Sequence, residues 1–317
     1  MADADFVAWL ETRFRGRHPA MRRVREELAI KRHSNLLLTI LGPTGSGKKI
    51  LAMAAWRGGP RAHMPYDEVR VTSKSPSQTR DELEGHKKGS FTTALFARNG
   101  FAAKCHGGTL LIDEAQDLPG HAQSRLLELV EYGTRQALGS DDSEPVDVRW
   151  ILAFNRSPNE LRAAGRLRED FFYRIHSFRI QIPPLSNHLD DVTELAAGFL
   201  DDHCRATGRP RVLTTAGIDV LMGHSWPGNV RELKRCVEAA ADSTAEETLD
   251  AELLSGVIGG TARIPDDLLK EDLRRVIERV GKRPQELARA LGVSRAQFYR
   301  KYGRVLEGLG LKRRYRQ

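Results

Sequence analysis

Cysteine is scarce in this sequence. Only Cys105, Cys204 and Cys236 occur in 317 residues, and no two of them stand in a CxxC pair. That spacing argues against a disulfide framework and a structural zinc site, and the thiols read as reduced groups of a cytoplasmic protein. Long apolar runs are missing as well. The uncharged stretches are far shorter than a membrane span, so no membrane partner is expected. The opening Met1-Ala2-Asp3-Ala4-Asp5 lacks the basic start of a signal peptide. The ten histidines form no ligand pair, and no internal repeat or low-complexity segment is present.

An excess of acidic charge is also absent: 50 Lys and Arg face 42 Asp and Glu, a net +8. The excess sits at one end. From Lys270 to Gln317 there are 15 Lys and Arg against 5 Asp and Glu, so the rest of the chain is close to neutral. A basic block on a neutral body suggests a nucleic-acid-binding tail domain. The length suggests about two domains, the larger with a substantial core.

The most informative stretch is Leu36 to Ala52. A branched apolar run, Leu36-Leu37-Leu38-Thr39-Ile40-Leu41, reads as a buried strand. It breaks into Gly42-Pro43-Thr44-Gly45-Ser46-Gly47-Lys48-Lys49, and helical spacing resumes at Ile50, Leu51 and Ala54. Strand, glycine loop and helix in that order aim backbone N–H groups and a helix N-terminus at phosphate oxygens. Gly42 and Gly47 permit close approach, and Lys48 supplies a point charge for the outer phosphates. The general motif places Ser or Thr after the lysine to put a hydroxyl on magnesium. Here that position is Lys49.

Further along, Gly107-Gly108 turns into Thr109-Leu110-Leu111-Ile112-Asp113-Glu114, a strand ending in two carboxylates. On the carboxyl edge of a parallel sheet, Asp113 can hold a nucleotide's magnesium and Glu114 can polarise an attacking water. Strands are also expected at Glu68–Thr72, Val148–Phe154 and Ile180–Ile182, the second of these ending in Asn155, whose amide can read the terminal phosphate. Alternating β and α elements from 36 to 184 argue for a parallel three-layer α/β sheet. Between them, Gly85 to Ala94 reads as a loop with Phe91 at its tip, exposed or folded back onto the core. Arg168 and Arg174 lie in an Arg-rich helical turn, Gly165 to Ile175, where surface ion pairing with Glu169 and Asp170 is the plain alternative to a functional role. From Asp190 onward the pattern is helical. Residues 256–265, with Gly259-Gly260, read as a linker before helices at Leu268–Val280, Pro284–Leu291 and Ser294–Leu306. The last two make a helix-turn-helix, with Arg295 and Gln297 toward base edges and Arg300 and Lys301 a turn later.

Together these segments resemble the AAA+ central domain of bacterial enhancer-binding proteins, the sigma-54-dependent transcription activators, followed by a Fis-type helix-turn-helix. Gly42–Lys48 is similar to the family's phosphate loop and Gly107–Pro119 to its GGTLFLDE segment. Gly165–Ile175 is similar to GRFREDLYYRL and Trp226–Leu233 to WPGNVREL. The resemblance implies an N-terminal segment at 1–15, an AAA+ α/β subdomain at 16–187, a helical lid at 188–255, the linker, and the DNA-binding domain at 266–317. No regulatory domain is expected ahead of it. It implies an ATPase that uses ATP and Mg2+, with Lys48 on phosphate, Asp113 on the metal and Glu114 as base. Asn155 and Arg231 become the two sensors, and Arg168 and Arg174 become fingers reaching a neighbour's ATP in a homo-oligomeric ring. Phe91 and Thr92 fall in the loop that contacts sigma-54 RNA polymerase, with DNA as the second partner.

Four positions depart from the family. Lys49 replaces its usual glutamate. Gly89-Ser90-Phe91-Thr92-Thr93-Ala94 stands for GAFTGA, with a Thr in place of a glycine that adopts positive φ more freely. The asparagine that gates the catalytic glutamate aligns with Thr72, and the Thr before the sensor aligns with Phe154. Two other readings therefore stay open: a DNA-binding regulator using the ring as a nucleotide-controlled assembly switch, and a remodeller of another target.

Overall fold

In this computed structural model the described residues are 3–71, 75–91 and 94–261, with Leu273, Val276, Ile277, Glu286, Leu287 and Leu306. Thr72, Thr92, Arg295, Gln297, Arg300 and Lys301 lie outside them. The chain divides into two compact units, residues 1–251 and 252–317.

Five parallel strands form the sheet of the first unit. They are β1 (Leu38–Leu41), β2 (Tyr66–Val69), β3 (Thr109–Ile112), β4 (Arg149–Phe154) and β5 (Arg179–Gln181), in the order β2-β3-β4-β1-β5. The three central strands are buried at every residue, as near-continuous apolar runs in a sheet covered on both faces should be. The period of two along each strand then splits the core in two. Leu41, Leu110, Ile112, Trp150, Leu152 and Phe154 point to one face, and Leu38, Ile40, Leu111, Ile151 and Ala153 to the other.

The second face is covered by α1 (Asp3–Arg13), α2 (Pro19–Lys31) and α3 (Lys48–Arg57). Phe6, Leu10 and Phe14, within the N-terminal segment expected at 1–15, are buried in that layer. The first face is covered by α4 (Pro76–Glu84), the short α5 (Phe101–Lys104), α6 (Gly120–Tyr132), α7 (Pro158–Ala163) and α8 (Glu169–His176). Because β1 lies between β4 and β5, the strand order reverses there, and the crevice at the carboxyl ends of such a switch point is where α/β sheets hold ligands.

The helical part comprises α9 (Val192–Thr207), α10 (Thr215–Met222) and α11 (Asn229–Ser243), with α9 packed on α11. Asp191 fastens it to the N-terminal connection by accepting the backbone N–H of Arg17 (2.6 Å) and His18 (2.9 Å), while its other oxygen meets His188. The stretch expected as a linker from residue 256 continues as helix in α12 (Ala251–Thr261). Leu253, Leu254, Val257 and Ile258 have helical apolar spacing, which outweighs the roughly 1 kcal/mol that each interior glycine costs. In the second unit Leu273, Leu287 and Leu306, one from each expected helix, are buried.

Candidate functional site: the phosphate loop and the strand ends around it

Residues 42–47 leave β1 and enter α3 at Lys48. Gly45 and Gly47 hold φ of +82° and +99°, a region that side chains disfavour. Space forbids a side chain as well: a Cβ at Gly45 would lie 2.2 Å from the Gly228 carbonyl, and one at Gly47 2.9 Å from the Phe14 ring. The loop is thus pressed between the N-terminal helix layer and the helical part. The Lys48 ammonium is buried and donates to the carbonyls of Gly42 (2.8 Å) and Pro43 (3.1 Å). Burial pushes its pKa down to about 8, Asp113 and Glu114 draw it up, and Arg231 adds to the lowering.

The parallel register brings the acidic residues to the same edge. Val69 pairs with Ile112 and Ile112 with Leu152, so Asp113 follows β3 beside the end of β2. Asp113 donates its N–H to Val69 at 2.8 Å. Its carboxylate is buried and accepts the Lys49 ammonium at 3.2 Å, and Lys49 also pairs with Glu68 on β2. Burial lowers the Lys49 pKa, but its bonds to Glu68 and Asp113 outweigh that and the net shift is upward.

This arrangement bears on magnesium, which the resemblance assigns to Asp113. The residue after Lys48 offers no oxygen, and its ammonium lies on the carboxylate that would take the metal. Among the described residues no group of three or more His, Cys, Asp or Glu could hold a metal ion. A nucleotide's magnesium needs only one or two carboxylates beside the phosphates, and here it is the ammonium on Asp113 that does not fit a divalent cation.

Glu114 adopts φ +54° and ψ +42°, a left-handed conformation uncommon for a residue with a Cβ. Strain of this kind persists at functional sites when the surroundings over-determine it. Its carboxylate pairs with Arg70 at 2.7 Å. Arg70, two positions before the aligned Thr72, is thus one partner of this glutamate. Strand β2 runs from Tyr66 to Val69, starting two residues before the expected Glu68–Thr72, and the residue after it falls beside the end of β3.

Asn155 follows β4, with its N–H held by the Gln116 side chain at 3.2 Å. Phe154 before it turns into the first-face core, which explains how a bulky residue fits there. Arg231 reaches the loop from α11: its N–H donates to Gly45 at 3.2 Å, and its Cβ is the next atom a side chain at Gly45 would meet. Asn229 completes the clamp. Buried, at φ +55°, it donates to the Thr44 carbonyl (3.0 Å) and accepts the Leu185 N–H (2.8 Å). Sequence reasoning passed over Asn229 as part of a longer motif; asparagine's tolerance of left-handed φ was the available signal.

The structure thus gathers residues 42–49, Asp113, Glu114, Asn155 and Arg231. It does not bring Arg168 and Arg174 to that edge. Arg168 forms a two-bond pair with Asp170 at the start of α8 (3.1 and 2.8 Å), and Arg174 borders a surface cleft with Leu127, Glu131, Asp170, Tyr173 and Ser177. The loop after α4 has a firm base and an exposed tip. Buried Glu84 holds Arg125 (2.6 Å at Nε) and the Gln136 N–H (2.6 Å). Phe91 is 42% exposed and packs edge-on to His86, while Leu95 and Phe96 are 68% and 80% exposed.

Residues 14–181 match the Sigma-54 interaction domain family, over half of the chain, and residues 186–267 match the AAA+ ATPase lid domain. The chain belongs to the Sigma-54 interaction domain family. The same family resemblance extends to curated proteins. A Nif-specific regulatory protein of Azotobacter vinelandii is 35% identical over 89% of this chain and 57% of its own length. An anaerobic nitric oxide reductase transcription regulator NorR of Escherichia fergusonii is 39% identical over 75% and 47%. This chain therefore spans about half the length of those relatives. Among solved structures, NtrX from Brucella abortus in complex with ADP superposes with a TM-score of 0.70 at 27% identity, covering 94% of this chain and 71% of that one. The same protein in complex with ATP gives 0.69 at 27% identity, over 92% and 69%. In this family member the parallel sheet, the glycine loop and the helical lid are all in place.

Proposed function

We propose that this chain is an ATP-dependent transcription regulator of the sigma-54 activator type. It binds ATP between the glycine loop and the lid and hydrolyses it as an AAA+ ATPase. The observation that carries this reading is the convergence of Lys48, Asp113, Glu114 and Arg231 on one sheet edge, with the lid bonded to the loop through Arg231 and Asn229. Lys48 and the backbone N–H groups of the loop bind phosphate oxygens. Glu114 polarises the attacking water, and Asn155 senses the terminal phosphate. Magnesium at Asp113 remains the family's expectation, but no step is routed through it because Lys49 occupies that carboxylate. Arg168 and Arg174, away from their own subunit's site, act in a homo-oligomeric ring on a neighbour's ATP, where a cation delivered to the γ-phosphate stabilises transition-state charge. Phe91 and Thr92 contact sigma-54 RNA polymerase, and the basic end, through Arg295, Gln297, Arg300 and Lys301, holds DNA in the cytoplasm.

The test is ATP-dependent open-complex formation by sigma-54 polymerase, with ATPase activity measured with and without DNA. Activator function predicts open complexes that disappear in Phe91→Ala while ATP binding is kept. ATP binding with neither turnover nor open complexes would favour the assembly-switch reading, toward which the ion pairs on Asp113 and Glu114 point.

A further inference from the structure

We infer that Lys49 is a built-in counterion for the nucleotide, so that this chain binds ATP without needing a divalent cation. The inference rests on the reading of this edge as a nucleotide site and concerns which cation serves it.

The position of Lys49 carries the argument. It is the second residue of α3, whose first turn holds no acid. A helix N-terminus carries partial positive charge, so adjacent lysines there are unfavourable unless anions face them. Asp113 and Glu68 supply part of that charge and fix where the ammonium lies, 3.2 Å from Asp113 Oδ2. The polyphosphate that the loop's N–H groups would take supplies the rest. An ammonium so placed can bridge Asp113 and a phosphate oxygen, the bridge that a metal ion makes when a hydroxyl follows the P-loop lysine.

Charge balance points the same way. Lys48, Lys49, Arg70 and Arg231 surround three carboxylates, Glu68, Asp113 and Glu114. With Glu at position 49 the carboxylates would outnumber the cations, and a highly charged anion would need a metal to enter. Exchanging that glutamate for lysine adds as much positive charge as one magnesium ion brings. A metal competing for Asp113 would also have to displace the ammonium and then remain beside it. Lys49 is half-exposed, so its pair with Glu68 gives little stability by itself. Its effect lies in where it puts a charge.

The experiment is calorimetric titration of ATP into the full chain in excess magnesium and in excess EDTA, with Lys49→Glu and Lys49→Thr alongside. The expected result is a wild-type affinity that differs by less than about threefold between the two conditions. Lys49→Glu should lose about tenfold or more in EDTA and recover in magnesium, because close charges in a partly screened site change affinity by at least that factor. Lys49→Thr should fall between them, and it serves if the glutamate variant fails to fold. Wild-type ATP binding that collapses in EDTA as far as in Lys49→Glu would overturn the counterion role while leaving the nucleotide site standing. Absence of ATP binding in either condition would instead overturn the nucleotide site and the inference with it.

Discussion

At the residue scale, two cations set what this site can do. Lys48 has its pKa depressed to about 8 by burial, and phosphate binding requires its charged form. Bound phosphate raises that pKa, so each ATP binds with uptake of a proton above about pH 8. Affinity should then fall by about tenfold per pH unit as pH rises past that value. The fold responds with the opposite sign: the unfolded chain keeps the proton up to the ordinary 10.5, so this lysine's contribution to stability grows between about 8 and 10.5. ATP titrations across that window check the first effect, and a flat profile would show that Lys48 does not face phosphate. Arg70 pairs with the proposed base. Its guanidinium occupies one oxygen of Glu114, where a reacting water must be polarised. Arg70→Asn should raise the ATP turnover number about two- to fivefold with KM nearly unchanged, the modest gain expected of a half-exposed pair. Steady-state phosphate release measures it, and a fall in turnover would make Arg70 a positive contributor to the chemistry.

At the scale of elements, the junction between loop and lid matters most. The N-terminal turn of α11 touches the glycine loop through Asn229 and the Arg231 N–H, so the loop's shape and the lid's position are set together. Asn229→Ala removes the acceptor of the Leu185 N–H and the donor to Thr44, and it places a Cβ-only residue at φ +55°. A cost of about 2 kcal/mol is expected from leaving buried groups unpaired, readable as a shift in the urea midpoint. ATP affinity should weaken in the same variant. Destabilisation with unchanged affinity would confine Asn229 to a structural role. The loop that follows α4 is built on the opposite plan. Glu84, Arg125 and Arg135 fix its base, while the apolar side chains at its tip face outward.

At the scale of the whole molecule, the finger role proposed for Arg168 and Arg174 would require a neighbour. Since Arg168 caps α8 and Arg174 lies on it, away from the phosphate loop, Arg174→Ala should keep ATP binding and lose hydrolysis. Mixing it with Glu114→Gln, which retains the finger, should restore part of the turnover; no recovery, with hydrolysis persisting in dilute monomer, would argue against a shared site. The basic end is tested by DNA titrations of the full chain at several salt concentrations. Arg295→Ala should cost about 1–3 kcal/mol and relax sequence preference, whereas Lys301→Ala should weaken all sequences alike and lower the salt slope by about one.

Much of this was legible in the chain itself. The run Leu36–Leu41 and its glycine loop, the strand ending in Asp113-Glu114, and the helical turn to α11 each carry a local pattern of period or spacing, and each element formed close to its expected bounds. Which face of the sheet the N-terminal Phe6, Leu10 and Phe14 cover depends on packing. Local pattern also failed where glycines sit in a helix, as in α12, because the helical apolar spacing around buried Leu254 outweighs a small backbone penalty. What sequence could not supply was partnership between distant residues. Arg70 meets Glu114, Lys49 meets Asp113 and Glu68, and Asn229 meets Thr44 because parallel strands in the order β2-β3-β4-β1-β5 bring their carboxyl ends to one edge and the lid folds back onto it. A strand's register against its neighbour is fixed by the pairing of two segments and the core they share. For that reason only the tertiary structure decided which charges neutralise one another at this site.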